Sequence, residues 1–507
     1  MSHASSDYLD TRLPLSSRLY TAAAVAQLDR LAQAEGRSSQ HLMSLAARSA
    51  LGEIEREFGT EQQLLVVCGG GNNGGDGYAL AALAASRGRP VALFELGEQV
   101  RMSEATGTSR QFALDAGVEF CSSAQLLAAG REGVVVDALL GIGVQGPLRP
   151  AYRELVEMIN NSGLPVVALD IPSGLCATTG SGDCVVAADL TVTFVGAKLG
   201  LFTGRGAALA GDVVLHTLEI DERLFDEVES VAELIDLDEA LEQLPARDIN
   251  GHKGRYGHVM IVGGDFGGGG AVALAAEAAL RCGAGLVSVA TRPEHVGAVL
   301  ARSPEAMVYG VSSGQDLQPL LASPTVIVVG PGLGQSAWSE QLLQQVLKTD
   351  TPLLLDADAL NILAAGRLQV RRTLADSVIT PHPGEASRLL DSSSAAVQTD
   401  RADSARRLQG LWQSAVVLKG AGTLVADGDR PLGLCADGNP GMATAGMGDL
   451  LSGIIGALMA QQLPVGEAAR LGVALHAVAG DRAAAVSGER SLLASDLIAP
   501  LVELLAG

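Results

Sequence analysis

The chain has 507 residues, too many for one hydrophobic core, so two large domains are expected. Hydrophobic residues make up 48% of it, glycine is abundant at 62 residues and aromatic side chains reach only 3%, a composition suited to close helix-on-sheet packing and glycine-rich turns. A formal charge of −22 argues against nucleic acid or an anionic membrane as partner. A phosphate-bearing ligand would have to be attracted locally, by helix N-termini, loop amides, a few Lys or Arg, or a cation.

At the N-terminus, "MSHASSDYLDTRLPLSS" lacks the charge–apolar–cleavage order of a secretory leader, and no apolar run is long enough to span a bilayer, so a soluble, cytoplasmic protein is expected. Residues 21–36 and 39–59 have helical spacing. A strand at 62–70, a helix at 78–88 and strands at 90–96, 132–141, 164–174 and 188–196 follow. The acidic stretch 219–245, closed by Pro245, reads as the connection between domains, which are placed at 1–225 and 226–507. The alternation then restarts: a strand at 257–264, a helix at 271–285, and strands or strand ends at 286–291, 325–334, 352–361, 377–385 and 415–427. Such alternation predicts α/β domains whose parallel sheets are covered on both faces, with ligands at the carboxyl ends of strands. The six cysteines form no CxxC pair, so reduced, packed thiols are expected and a zinc site is not.

Two groups of strand ends carry the chemistry. In the first half, "VVCGGGNNGGDGYALAAL" (66–83) is a strand, a glycine loop and a helix start, an arrangement that lets amides face a phosphate. A tight turn capped by Asp76 is the plainer alternative. "VVVDALLGIGVQGPL" (134–148) adds Asp137 with Gly141, Gly143 and Gly146, and "VVALDIPSG" (166–174) adds Asp170 and Ser173. A carboxylate that ends a buried-type run needs a partner. Asn73, Asp137 and Ser173 offer oxygen ligands to a hard cation, and Asp170 can move a proton.

In the second half, "GNPGMATAGMGDLLSGIIGALMAQ" (438–461) leads small residues into Gly446-Met447-Gly448-Asp449 and then an apolar helix. Amides at that helix start can hold a phosphoryl group while Asp449 accepts a proton from a hydroxyl. "VVLKGAGTLV" sets Lys419 beside a glycine turn, which suits a nucleotide phosphate but also fits a hairpin with a solvated lysine. "TPHPGE" presents Glu385 and His382, which as a lone histidine between two prolines also fits a structural role, "VVGPGLG" presents Gly330, Gly332 and Gly334, and "LLLDADALN" presents Asp356, Asp358 and Asn361 as either an ion-and-water network or a capped turn.

"GGGNNGGDG", "DALLGIG" and "LDIPSG" in this order resemble the NAD(P)H-hydrate epimerase domain over roughly the first 220 residues. "GPGLG", "DADALN", "TPHPGE", "KGAGT" and "NPGMATAGMGD" resemble the ADP- or ATP-dependent NAD(P)H-hydrate dehydratase over about residues 245–505. Fused in this order, they resemble the bifunctional NAD(P)H-hydrate repair enzyme family. The resemblance implies a Rossmann-like doubly wound N-terminal domain and a ribokinase-like α/β/α C-terminal domain. The first would interconvert R and S hydrates of NADH or NADPH; the second would dehydrate the S hydrate at the expense of ADP.

By the same resemblance the epimerase holds the hydrate on Asn72, Asn73, Gly74, Gly75 and Asp76, on Gly141, Ile142, Gly143, Val144, Gln145, Gly146 and Pro147, and on Asp170, its acid–base residue. A potassium ion sits on Asn73, Asp137 and Ser173. The dehydratase holds hydrate on Ala271, Gly332, His382 and Asp449, its catalytic base, and adenine nucleotide on Lys419, Gly420, Ala421, Gly422, Thr423, Asn439, Gly441, Thr444, Gly446 and Gly448, with Mg²⁺. "GGDFGGGGAV" (263–272) departs from the family by lacking a Tyr-Pro, which leaves the wall around Ala271 open. A homo-oligomer is expected. A small-molecule kinase with a non-catalytic ligand-binding first domain remains the rival reading.

Overall fold

The structure, a computed structural model, describes residues 17–96, 102–128, 131–368, 370 and 373–506. The N-terminal stretch without a leader pattern lies almost wholly outside the described residues. The chain divides into two compact units, Met1–Glu233 and Leu234–Gly507. Among the described residues no helix is long and apolar enough to cross a membrane. All six cysteines are free, four of them buried.

The first unit carries a seven-stranded parallel sheet. Its strands are β1 (Leu64–Cys68), β2 (Val91–Glu95), β3 (Glu119–Phe120), β4 (Val134–Ala138), β5 (Val166–Leu169), β6 (Leu190–Phe194) and β7 (Asp212–His216). They lie in the order β3-β2-β1-β4-β5-β6-β7, every pairing parallel. Strand residues alternate between faces, and both faces are covered, so the strands read as unbroken apolar runs. Leu64, Val66, Val134 and Val136 pack with α1 (Ala22–Ala34), α2 (Ser39–Phe58) and α3 (Asn72–Ser86). Leu65, Val67 and Val135 pack with Tyr152, Leu155 and Ile159 of α4 (Pro150–Asn160). The order reverses at β1/β4, and at such a switch point the loops part to leave a crevice.

The second unit repeats the scheme. Its strands are β8 (His258–Val262), β9 (Leu286–Thr291), β10 (Met307–Gly310), β11 (Val326–Val329), β12 (Leu353–Leu355), β13 (Val378–Ile379), β14 (Ala415–Leu418), β15 (Thr423–Ala426) and β16 (Leu432–Cys435). Their order is β10-β9-β8-β11-β12-β13-β14-β15-β16. Pairing is parallel from β10 to β14 and antiparallel from β14 to β16. The run 415–427 is therefore a hairpin, β14 and β15, turning at Lys419–Gly422. Helices α5 (Gly269–Arg281), α6 (Ala357–Ala364), α7 (Pro383–Leu389), α8 (Arg401–Trp412), α9 (Met447–Ala460) and α10 (Val465–Ser487) complete the part that carries the site.

The acidic stretch 219–245 is not a free connection. Ile220, Leu224, Phe225 and Val228 are buried in the first unit's core, while Leu237, Ala240 and Leu241 pack on the second's. Its charges mark the solvated faces of short helices, Glu222–Asp226 and Leu237–Glu242, whose apolar residues are docked.

Helix α9 is set by close approach. A Cβ on Gly453 would stand 2.2 Å from the Ala275 carbonyl oxygen of α5, so no larger residue fits without moving one helix. In chemical denaturation Gly453→Ala should cost the second unit about 2 kcal/mol and leave the first unit's transition in place; an unchanged second transition would contradict this packing.

Candidate active sites

In the first unit a cleft of about 640 Å³ opens at the β1/β4 switch point, within the usual range for small-molecule sites. Asn72, Asn73, Asp76, the whole segment Gly141–Pro147 and Asp170 line it. Gly74 and Gly75 lie behind that lining. A Cβ at Gly74 would fall 1.9 Å from the Gly69 carbonyl oxygen, so this glycine lets the loop fold under the helix. Asp76 is not the helix cap. Gly71 occupies that position, and Asp76 sits in the second turn of α3 with its side chain at the cleft.

Beneath the cleft Asp137 is fully buried at the end of β4. Ser173 donates to both its oxygens, from Oγ at 2.6 Å and from N at 2.8 Å. Burial pushes its pKa up to about 6 even though the Ser173 and Leu139 hydrogen bonds pull the other way. Asn73 donates Nδ2 to the Leu140 carbonyl at 2.9 Å, and its buried Oδ1 accepts nothing from the described residues. An orphaned amide oxygen beside a destabilised carboxylate is a donor set that a monovalent cation satisfies.

Asp170 follows β5 in the left-handed region at φ 67°, held by its N–H to the Val192 carbonyl at 2.7 Å. Its Oδ1 accepts from Phe194 N at 3.1 Å and from Lys198 Nζ. Lys198 is fully buried, and its remaining protons go to Thr193 Oγ1 at 2.9 Å and the Phe194 carbonyl at 2.7 Å. All three ammonium donors are thus used, and Asp170 Oδ2 is left for a ligand. Two more acids line the cleft. Burial, then Asp170, raises Asp29 to about 6. Burial, then Asp170 and Asp29, raises Asp76 well above the ordinary carboxyl range. Lys198 and Asp29 were not singled out from the sequence. The one available signal was a lysine set in the otherwise apolar, glycine-containing run "TVTFVGAKLG".

In the second unit the site gathers at the carboxyl ends of β12, β13 and β14. Lys419 Nζ meets Asp356 Oδ1 at 2.7 Å, so the hairpin lysine is not solvated. Ser452 Oγ of α9 donates to Asp356 Oδ2 at 2.9 Å. Burial pulls the Lys419 pKa down, but Asp356 and Glu385 outweigh it and the net shift is upward. Gly448 lies against this pair; a Cβ there would come 3.3 Å from Lys419 Nζ. Asp449 stands in the first turn of α9, after Gly446 at φ 92°. Burial raises its pKa to about 7, helped by Asp356 and Asp358 and opposed by Lys419.

Asp358 is a loop cap, accepting Gly334 N at 2.9 Å. His382 caps α7, its Nδ1 accepting Gly384 N at 2.9 Å, which makes Nε2 the protonated nitrogen facing Glu385. Burial, then Lys419 and Arg388, lowers the His382 pKa, so the ring is neutral. Ala271 and Gly332 are brought side by side: a Cβ on Gly332 would lie 3.0 Å from that of Ala271. In place of Tyr-Pro the 263–268 loop is pinned by Asp265, which takes Arg292 Nε at 2.8 Å and Ser336 Oγ at 2.7 Å. The Arg292 guanidinium lies 4.5 Å from the centre of the Phe266 ring and 4.2 Å from that of Trp338.

Asn439 faces inward to Asp481, donating Nδ2 to it at 2.8 Å and accepting Gly441 N at 3.0 Å. It thereby shapes the loop that leads through Thr444 to Gly446. Asp481 and Ser452 are further residues that spacing did not reveal, since both lie on ordinary helical stretches.

Residues 259–502 match the family model described as NAD(P)H-hydrate dehydratase, and residues 39–200 match that of the YjeF-related protein N-terminus. The bifunctional NAD(P)H-hydrate repair enzyme of Coxiella burnetii is 44% identical over 480 residues, 94% of this chain and 97% of the relative. That of Escherichia coli is 40% identical over 467 residues, 92% and 89% of the two chains. A ribokinase-like superfamily protein from Enterococcus faecalis superposes with a TM-score of 0.50 at 30% identity, covering 54% of this chain and 95% of its own. With both family models matched in order and close relatives aligned along nearly its whole length, the chain belongs to the bifunctional NAD(P)H-hydrate repair enzyme family.

Proposed function

We propose that the chain restores hydrated nicotinamide cofactors, with Asp170 as the epimerase acid–base residue and Asp449 as the dehydratase base. The observation that carries this is the pairing of two differently built proton-handling centres on one chain. The first cleft holds Asp170 paired with Lys198 and, beside it, Asp76, whose carboxyl burial holds well above the usual carboxylate range. A base and an acid facing one crevice suit a reaction that takes a proton from the hydrated ring and returns one. The dinucleotide lies on Asn72–Asp76 and Gly141–Pro147.

Potassium fits the first unit. Asn73 Oδ1, Asp137 and Ser173 would hold it, and its charge would keep Asp137 ionised and the loop after β4 fixed beneath the ligand. In the second unit no group of three His, Cys, Asp or Glu side chains among the described residues could hold a metal. Mg²⁺ would fit there as an ion carried by the nucleotide's phosphates, where it would offset phosphoryl charge.

Dehydration of the S hydrate needs a better leaving group than hydroxide. Asp449 takes the hydroxyl proton as the oxygen attacks the terminal phosphoryl of ADP. Lys419 and the amides at the start of α9 stabilise the moving charge while the bond from that phosphorus to the bridging oxygen breaks and AMP leaves; phosphate then departs from the ring carbon, the adjacent carbon gives up a proton, and the ring double bond returns. Ala271, Gly332 and His382 form the hydrate side, and Lys419–Thr423 and Asn439–Gly448 the nucleotide side. A simple kinase would give the first unit's acid–base cleft no task.

Three outcomes follow from these roles. Asp170→Asn should slow epimerisation by ~10²- to 10⁴-fold while dehydration of the pure S hydrate, followed by the return of reduced-nicotinamide absorbance, keeps its rate. Equal loss of both activities would remove Asp170 from its role. Because burial raises Asp449 to about 7 and its base form predominates only above that value, dehydration should fall as pH is lowered through about 7. A flat profile down to pH ~5 would speak against Asp449 as base.

The third outcome concerns potassium. Asp137 is raised in the folded state, to about 6, so without a cation it makes the first unit less stable as pH climbs toward that value. Potassium binds the ionised form. The potassium-induced rise in unfolding temperature should therefore be large near pH ~8, shrink below pH ~6, and vanish in Asp137→Asn. A rise of equal size in that variant would contradict the assignment.

A further inference from the structure

Arg401, the first residue of α8, is only 1% exposed, and its guanidinium lies directly under the β14–β15 turn. Nη2 donates to the carbonyls of Leu418 at 3.2 Å, Lys419 at 3.3 Å and Gly422 at 3.3 Å, and Nη1 donates to Gln398 Oε1 at 2.9 Å. The Gly420 carbonyl is taken by Thr423 Oγ1 at 2.9 Å. Of the five carbonyls from Leu418 to Gly422, all but that of Ala421 are thus drawn toward protein donors. The Lys419 amide is spent on the Pro381 carbonyl at 3.0 Å.

The amides of Gly420 and Ala421 remain. Both residues are exposed, and among the described residues neither N–H has a protein acceptor. Gly420, at φ 141°, is in turn required by the guanidinium: a Cβ there would lie 2.9 Å from Nη1 and 3.0 Å from Nη2. A turn whose carbonyls point one way presents its N–H groups the other way, the arrangement that binds anions. Burial lowers the Arg401 pKa only to about 10, so its charge lies under the turn at neutral pH.

We propose that Arg401 is a positioning residue for the nucleotide's phosphates, gathering the carbonyls of Lys419–Gly422 so that the outward amides of Gly420 and Ala421 and the neighbouring Lys419 meet a phosphoryl group. The inference rests on the nucleotide reading of this turn given above. Arg401 itself does not touch the nucleotide. A planar guanidinium can reach three carbonyls at once; an ammonium keeps the charge but not the fork.

The test is calorimetric titration of the full chain with ADP and Mg²⁺, without hydrate. Arg401→Lys should weaken ADP binding by at least about tenfold and raise the KM for ADP, with kcat at saturating ADP and the epimerisation rate preserved. Gly420→Ala, which crowds the guanidinium without removing it, should weaken ADP binding in the same way and serves if Arg401→Lys fails to fold. A merely structural role would lower the folded fraction and leave the affinity of the folded molecules unchanged. ADP binding by either folded variant with wild-type affinity overturns the inference while the nucleotide site stands. Failure of the wild-type chain to bind ADP or ATP removes the nucleotide site itself, and this inference with it.

Discussion

Each unit sets more carboxylates than cations around one lysine at its strand ends, and the rest of the account depends on that imbalance. Asp29, Asp76 and Asp170 surround Lys198; Asp356, Asp449 and Glu385 surround Lys419. Each ammonium contacts one carboxylate directly, Asp170 in the first unit and Asp356 in the second. The acids left over are pushed toward their protonated forms, because charging them away from bulk water is costly. Proton donors and acceptors at neutral pH therefore arise from burial and unequal partnering, without any unusual residue type.

The scaffold explains why these groups meet. Both sheets reverse their order between the first strand and the fourth, so loops on either side part at the carboxyl ends. In the first unit the start of α3, the end of β4 and the turn after β5 supply Asn73, Asp137 and Asp170. In the second, three strand ends deliver Asp356, His382 and Lys419, and α9 arrives across them from a later part of the chain. Gly453 and Gly448 let α9 approach closely enough for Ser452 to reach Asp356 and for Asp449 to face the pair.

Much of this was legible in the sequence, because strands buried on both faces must be apolar and their polar ends stand out. Asp137, Asp170, Asp356, His382 and Lys419 all announce themselves in that way. What escaped is what periodicity cannot report. Lys198 sits in a two-residue strand, Asp29 and Asp481 look like ordinary solvated helix charges, and Arg401 looks like one more basic residue in a polar helix. Their importance comes from tertiary partners. The 219–245 stretch showed its acidity but not its packing: its charged faces hide apolar residues that dock on two different cores. The hairpin at 415–427 was obscured because a lysine–glycine turn can end a strand or reverse it.

The most direct measurement is the end point of cofactor recovery from a mixture of R and S NADH hydrates, with the chain, ADP, Mg²⁺ and K⁺ present, followed by the return of reduced-nicotinamide absorbance. The account predicts recovery of both epimers. Recovery that stops at the S fraction would contradict the proton-handling role of the first cleft, and no recovery with either ADP or ATP would contradict the repair function itself.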